Sequence, residues 1–124
     1  DLDAALARIV AAIRPGGHLL IANLTSFNTA AVHLGWLKPL LGEPTFPIDH
    51  YLEERPRRTA WRGVDIMNHH RPLKRYMQAL LAHGLILRHF DEPPATGGPP
   101  DKRDRYNRVP NFHIMLWQRP AQSA

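Results

Sequence analysis

The stretch RPGGHLLIANL, residues 14–24, constrains this chain more than any other. A Pro15-Gly16-Gly17 turn runs directly into His18-Leu19-Leu20-Ile21-Ala22-Asn23-Leu24, and both alternating faces of that run are apolar. A strand with one face in water alternates apolar and polar residues. A run apolar on both faces is the pattern of a strand covered by helices on two sides, as in the parallel sheets of α/β proteins. Ahead of it, residues 2–13 set Leu2, Leu6, Ile9, Val10 and Ile13 at helical spacing with alanine between them, which predicts a helix with one apolar face. The Pro-Gly-Gly turn stops that helix. Helix, tight turn and doubly covered strand make half of an α/β unit, so the rest of a sheet is to be sought downstream.

Residues 72–83, PLKRYMQALLAH, are the clearest helix of the remainder. Pro72 suits a first helical position, Leu73, Tyr76, Met77, Leu80 and Leu81 form one stripe, and Gly84 is the expected stop. LILRHF, residues 85–90, and FHIMLW, residues 112–117, read as strands. The segment between them, 91–111, holds five prolines and reads as a long Pro/Gly-rich loop. Two strands joined without a helix are expected to be antiparallel. Residues 28–67 read as a covering insertion. Within it, 29–41 has helical character weakened by Gly35 and Pro39, 42–58 is loop-like, and 59–67 is a short strand in which Gly63 permits a bulge. The order is helix, strand, insertion, helix, strand, loop, strand, with no internal repeat, in a single domain spanning 1–124.

The length, 124 residues, allows about two-thirds of the unfolded surface to be buried. No run of about 18 apolar residues exists to span a membrane, and no secretory signal is expected. Cysteine is absent, which excludes disulfides and thiolate metal sites and is compatible with a reducing cytosol; a cytoplasmic location is expected. The net charge of +5 suits phosphate-bearing partners in principle. The basic residues gather at Arg55-Pro56-Arg57-Arg58 and Lys102-Arg103-Asp104-Arg105, both in Pro-rich sequence that reads as solvated loop.

The words LxxIxxxIRPGGHLLIAN, HHRPLKRYMQALLAHGLILRHFDEP and RVPNFHIMLWQRP, in this order, resemble the C-terminal half of a class I S-adenosylmethionine-dependent methyltransferase. EERPRRTAWRG and NHHRPL resemble the small-molecule enzymes of the type 11 and UbiE-like group. The resemblance implies an α/β fold with a partial Rossmann-like sheet. Its strands are equivalent to the fifth, sixth and antiparallel seventh of the family, with flanking helices. It also implies a departure. Such enzymes hold the cofactor mainly with their N-terminal half, through a Gly-rich turn and an acidic residue. Here the glycine pairs are Gly16-Gly17 and Gly97-Gly98, and neither follows a buried strand and opens a helix. The chain, which begins at Asp1, is therefore expected to be a fragment. S-adenosylmethionine would serve the full-length parent, no residue here is expected to bind cofactor, and the chain alone is expected to be inactive.

Methyl transfer is an in-line displacement governed by orientation and desolvation, and a base is needed only where the acceptor must first lose a proton. His70 and His69, just before the helix at 72, are the candidates for that base. Asn23 and Ser26 stand at the carboxyl end of the first strand, where ligands of open α/β sheets lie. Tyr51 and Trp61 are candidate walls of an acceptor pocket, and Arg71 is a candidate partner for a carboxylate. His18, His83 and His89 read as structural. No histidine pair has the i, i+4 spacing backed by a carboxylate that a metal site would need, so no metal is expected. The resemblance to the type 11 and UbiE-like group implies a small-molecule substrate in the parent. The competing readings are a basic nucleic-acid-binding module, which lacks aromatic residues interleaved with the basic runs, and a non-catalytic partner completing another chain's sheet. If a neighbouring strand is missing, residues 18–24 present an unpaired edge, and a homodimer or larger assembly follows.

Overall fold

The carboxylate of Asp1 accepts hydrogen bonds from the backbone N–H groups of Asp3 and Ala4 at 2.9 and 3.3 Å. It thereby satisfies two of the donors that a helix start leaves free. The helix it caps, α1, runs Leu2–Ala12. A computed structural model describes residues 1–33 and 35–121. After α1 come β1 (His18–Leu24), a single helical turn α2 (Ser26–Thr29), β2 (Arg55–Trp61), β3 (Val64–His70), α3 (Leu73–Ala82), β4 (Ile86–Asp91), α4 (Pro100–Arg108) and β5 (Phe112–Gln118). They form two compact units: residues 1–23, 73–93 and 112–121 make the first, and 24–72 with 94–111 the second.

The first unit is a three-stranded sheet in the order β1-β5-β4, with α1 and α3 packed together on it. β4 and β5 are antiparallel, as expected, with Leu87 opposite Trp117 and Phe90 opposite Met115. The core is Leu6, Ala79, Leu80, Leu85, Met115 and Trp117, with Leu19, Ile21 and Tyr76 packed against it. Burying a side chain the size of Leu80 or Met115 contributes about 1.5–3 kcal/mol. Arg75 Nη2 bonds Asp3 Oδ2 at 2.7 Å and ties α3 to α1. That hydrogen bond holds the Asp3 carboxyl below its ordinary value. The turn before β1 is tight: a Cβ at Gly17 would stand 2.9 Å from the Arg14 carbonyl oxygen. Glycine is required there for space.

One expectation about β1 is corrected. Its side chains alternate between half-buried and exposed, and Leu20 is 66 % exposed. α1 and α3 join one core cluster, which takes in Leu19 and Ile21 of β1 but not Leu20. The apolar residues of the opposite face, Leu20 and Ala22, are therefore left uncovered within this unit.

The second unit holds an antiparallel hairpin, β2–β3, with Arg55 opposite His70, Arg57 opposite Asn68 and Trp61 opposite Val64. The hairpin replaces the single strand expected at 59–67 and takes up the end of the loop expected at 42–58. Its two-residue turn is Arg62-Gly63, both with positive φ (43° and 81°), the backbone that a tight hairpin requires. Gly63 thus makes a turn, not a bulge. Beyond Thr29, the last residue of α2, no helix forms over the described part of 29–41; Leu34 lies outside the described residues. Instead Leu37 and Thr45 exchange backbone hydrogen bonds of 2.8 and 3.0 Å, and Ala31 bridges Ile48. Gly35, at φ 123°, and Pro39 disfavour a helix, and extended pairing replaces it. The expected loop at 91–111 contains α4, which starts at Pro100 after an uncapped turn.

Candidate functional site

Along β2, Arg55, Arg57 and Thr59 are half-buried while Pro56, Arg58 and Ala60 are exposed. The hairpin therefore turns one face inward, and that face carries two guanidinium groups. Arg57 donates from Nη1 to the Thr29 carbonyl at 2.7 Å. No carboxylate pairs with it among the described residues. Burial, and then the like charge of Arg55, pull its guanidinium below the ordinary arginine value. Arg58, one residue on, is exposed and makes a two-pronged pair with Asp65, and it too lines part of the cleft beside Arg57. The Nε of Arg55 is buried with no partner.

Arg57 lines an open cleft of about 770 Å³ inside the second unit. Trp36, Phe46, Trp61 and Tyr106 supply aromatic surface there. Trp36 is braced edge-on by Phe46, with ring centroids 5.4 Å apart, and by the Arg108 guanidinium 4.8 Å above its ring. Asn28 donates to Asn111, and Asn68 donates to Thr59 Oγ1 at 3.3 Å. Thr25 anchors this floor: its hydroxyl donates to the Pro110 carbonyl at 2.7 Å and caps α2. Among the described residues, no Asp or Glu lines the cleft.

Of the residues singled out in the sequence, Trp61 lines the cleft. His70 does not act as an exposed base. It is 1 % exposed, Nδ1 lies 2.6 Å from Thr29 Oγ1 and Nε2 lies 2.7 Å from the Tyr51 carbonyl. Both nitrogens are taken by the chain, and the imidazole braces the unit. His69 is exposed, opposite Pro56. Ser26 is buried and donates to the Arg71 carbonyl at 2.6 Å, so its hydroxyl is committed to the backbone. Tyr51 stacks on Phe27 and meets the His70 ring edge-on. Arg71 lies 3.8 Å from Glu54, within the chain's own ion pairs. Asn23 belongs to the first unit, where its Oδ1 is buried without a partner.

Sequence reasoning missed Arg57, Trp36, Asn28, Asn111 and His33, all of which line the cleft. The signal for Arg57 was available: Arg55, Arg57, Thr59 and Trp61 recur with period two and lead into an Arg-Gly turn. The basic clusters are not loops. One lies on β2, and the other lies on α4, where Arg105 reaches Asp101 at 3.4 Å and Lys102 sits 5.9 Å from the Tyr106 ring centre. Among the described residues, no cluster of three His, Asp or Glu side chains is placed to hold a metal ion. No helix among them is long and apolar enough to cross a membrane.

No family profile and no curated protein matches the sequence. Solved structures do match the fold. One is a protein from Listeria monocytogenes assigned as an S-adenosylmethionine-dependent methyltransferase, with a TM-score of 0.82 and 22 % identity over 99 % of this chain. Another is an S-adenosylmethionine-dependent methyltransferase from Mesorhizobium loti, with a TM-score of 0.81 and 27 % identity over 96 % of this chain. This chain has the fold of an S-adenosylmethionine-dependent methyltransferase. It spans 55 % of the length of each of those two proteins. The α/β resemblance read from the sequence is thereby borne out.

The described residues do not fit the cofactor that this fold implies. A cradle for it needs a glycine turn that follows a strand, opens a helix and lets backbone approach a ligand. Gly17 precedes β1 and is filled by its own neighbours, Arg14 and Ile13. Gly97 and Gly98 have open space around them, but five residues separate them from the end of β4, and the helix they precede opens on Pro99-Pro100, which have no backbone N–H to offer a ligand. After β1 the chain presents Thr25 and Ser26, whose hydroxyls are already bonded to backbone.

Proposed function

We propose that this chain is the acceptor-binding portion of an S-adenosylmethionine-dependent methyltransferase acting on a small molecule, and that it is inactive alone. The observation that carries the reading is the cleft of the second unit. Its volume, about 770 Å³, suits a small-molecule site, as does its aromatic wall with a few placed polar groups. Methyl transfer asks a protein chiefly for orientation and for exclusion of water. Trp36, Trp61 and Tyr106 would grip the apolar body of an acceptor. The Asn28–Asn111 and Asn68–Thr59 pairs would fix its polar atoms. Where the acceptor must lose a proton, His33 is the imidazole that lines the cleft.

The test is methyl transfer by the full-length domain that carries this chain, with a panel of small-molecule acceptors. Trp61→Ala is expected to raise KM for the acceptor about tenfold, the worth of one aromatic contact, and to leave KM for S-adenosylmethionine unchanged. A variant that moves the cofactor KM alone, or neither, overturns the reading.

A further inference from the structure

We infer that the cleft selects a planar, apolar acid, and that Arg57 is the clamp for its carboxylate. The inference deepens the acceptor reading and rests on it. The ion-paired arginines are answered from within the chain: Arg58 by Asp65, Arg71 by Glu54, Arg75 by Asp3 and Arg105 by Asp101. Half-buried Arg119 is answered by the Val10 and Ile13 carbonyls, and half-buried Arg55 and Arg103, like Arg57, have no carboxylate partner among the described residues. Arg57 is answered only by the Thr29 carbonyl, through one of its donors. Its remaining N–H groups have no partner among the described residues, and none is sealed off from a ligand. A cation held partly out of water without an anion is costly unless something supplies one. Arg55, two residues away on the same inward face, adds positive charge and an unbonded buried Nε.

The cleft offers no carboxylate of its own to meet this charge. Its asparagines are paired with neutral partners. A planar guanidinium with free donors matches a carboxylate in two-pronged geometry. The body of such a ligand would lie against Trp36, which Phe46 and Arg108 hold in place, and Trp61, which is 47 % exposed. Charge at one end and aromatic surface beside it define an aromatic carboxylate as the class.

The probe is 2-naphthoate against its neutral twin, 2-naphthamide. Each is titrated into the chain while the indole N–H resonances of Trp36 and Trp61 are followed by NMR, with buried Trp117 as an internal reference. Naphthoate should shift the two cleft indoles saturably with a dissociation constant below about 1 mM. The amide should bind at least about tenfold more weakly, because it lacks the charge-assisted bond. Arg57→Gln should weaken naphthoate about 10- to 100-fold and leave the amide unchanged. Arg62→Gln, in the hairpin turn, should change neither.

Equal affinity for acid and amide, no saturable shift by naphthoate, or an Arg57→Gln variant that binds naphthoate like the parent chain each overturns the inference. Should Arg57→Gln fail to fold, the acid–amide comparison on the unmodified chain decides alone. The assay needs neither cofactor nor turnover. Acid-selective binding together with an unchanged acceptor KM in Trp61→Ala would therefore retain the clamp and remove the acceptor reading, and the converse pair would do the reverse.

Discussion

Thr29 Oγ1 lies 2.6 Å from Nδ1 of His70. The opposite nitrogen, Nε2, lies 2.7 Å from the Tyr51 carbonyl, which can only accept, so Nε2 donates there. One buried imidazole thus joins α2, the residues before β2 and the end of β3. His70→Ala removes both bonds and leaves a space beside Tyr51. It should destabilise the chain by about 2–4 kcal/mol in urea unfolding. A loss below about 1 kcal/mol would show that the imidazole is not a brace.

His113 is the second buried histidine, 2 % exposed between Tyr76 and Phe90, with Nε2 unbonded. Burial lowers its pKa below the ordinary histidine value. The neutral form is then favoured in the folded state. Its contribution is fully present above the unfolded pKa of about 6.5 and is lost as pH falls from there through the folded pKa. Unfolding midpoints at pH 7.5 and pH 5.5 should show that loss in the parent chain and a smaller one in His113→Phe. Identical pH dependence in the two proteins would contradict it.

The turn of the β2–β3 hairpin sets a third expectation. Arg62 and Gly63 both have positive φ, a conformation that asparagine tolerates and arginine does not favour. Gly63→Ala should cost about 1 kcal/mol, and Arg62→Asn should gain a few tenths. Thermal unfolding of the two variants should move in opposite directions; a Gly63→Ala chain as stable as the parent would place the turn elsewhere.

β1 stands at the edge of its sheet among the described residues, and Leu20 on it is 66 % exposed. We propose that the isolated chain pairs this edge with a second copy, burying more than roughly 1,000 Å². Light scattering at micromolar concentration should give at least twice the 14.1 kDa of one chain, and a clean monomer would contradict it.

The elements that the sequence made legible are those whose apolar residues carry the period. Leu2, Leu6 and Val10 mark α1, and Leu73, Tyr76, Met77 and Leu80 mark α3. The strands of the first unit show as short apolar runs, such as the one at Phe112–Gln118 whose Met115 and Trp117 reach the core. The hairpin was half legible because its inward face is Arg55, Arg57 and Thr59, where burial is expected of apolar residues. α4 was not legible at all: PDKRDRYNR is polar on every side and holds no buried residue. Most of the cleft was hidden for a related reason. Trp36, Asn28 and Asn111 are brought together by bridges such as Leu37 to Thr45, which leave no periodic trace.

The division of labour between an acceptor cleft in this chain and a cofactor site supplied elsewhere is tested most directly by calorimetric titration of S-adenosylmethionine into the 124-residue chain. No saturable heat is expected up to about 1 mM, because Gly17 is filled by its own neighbours and Thr25 and Ser26 are bonded to backbone. A dissociation constant in the low micromolar range would place the cofactor site within these residues and contradict the division.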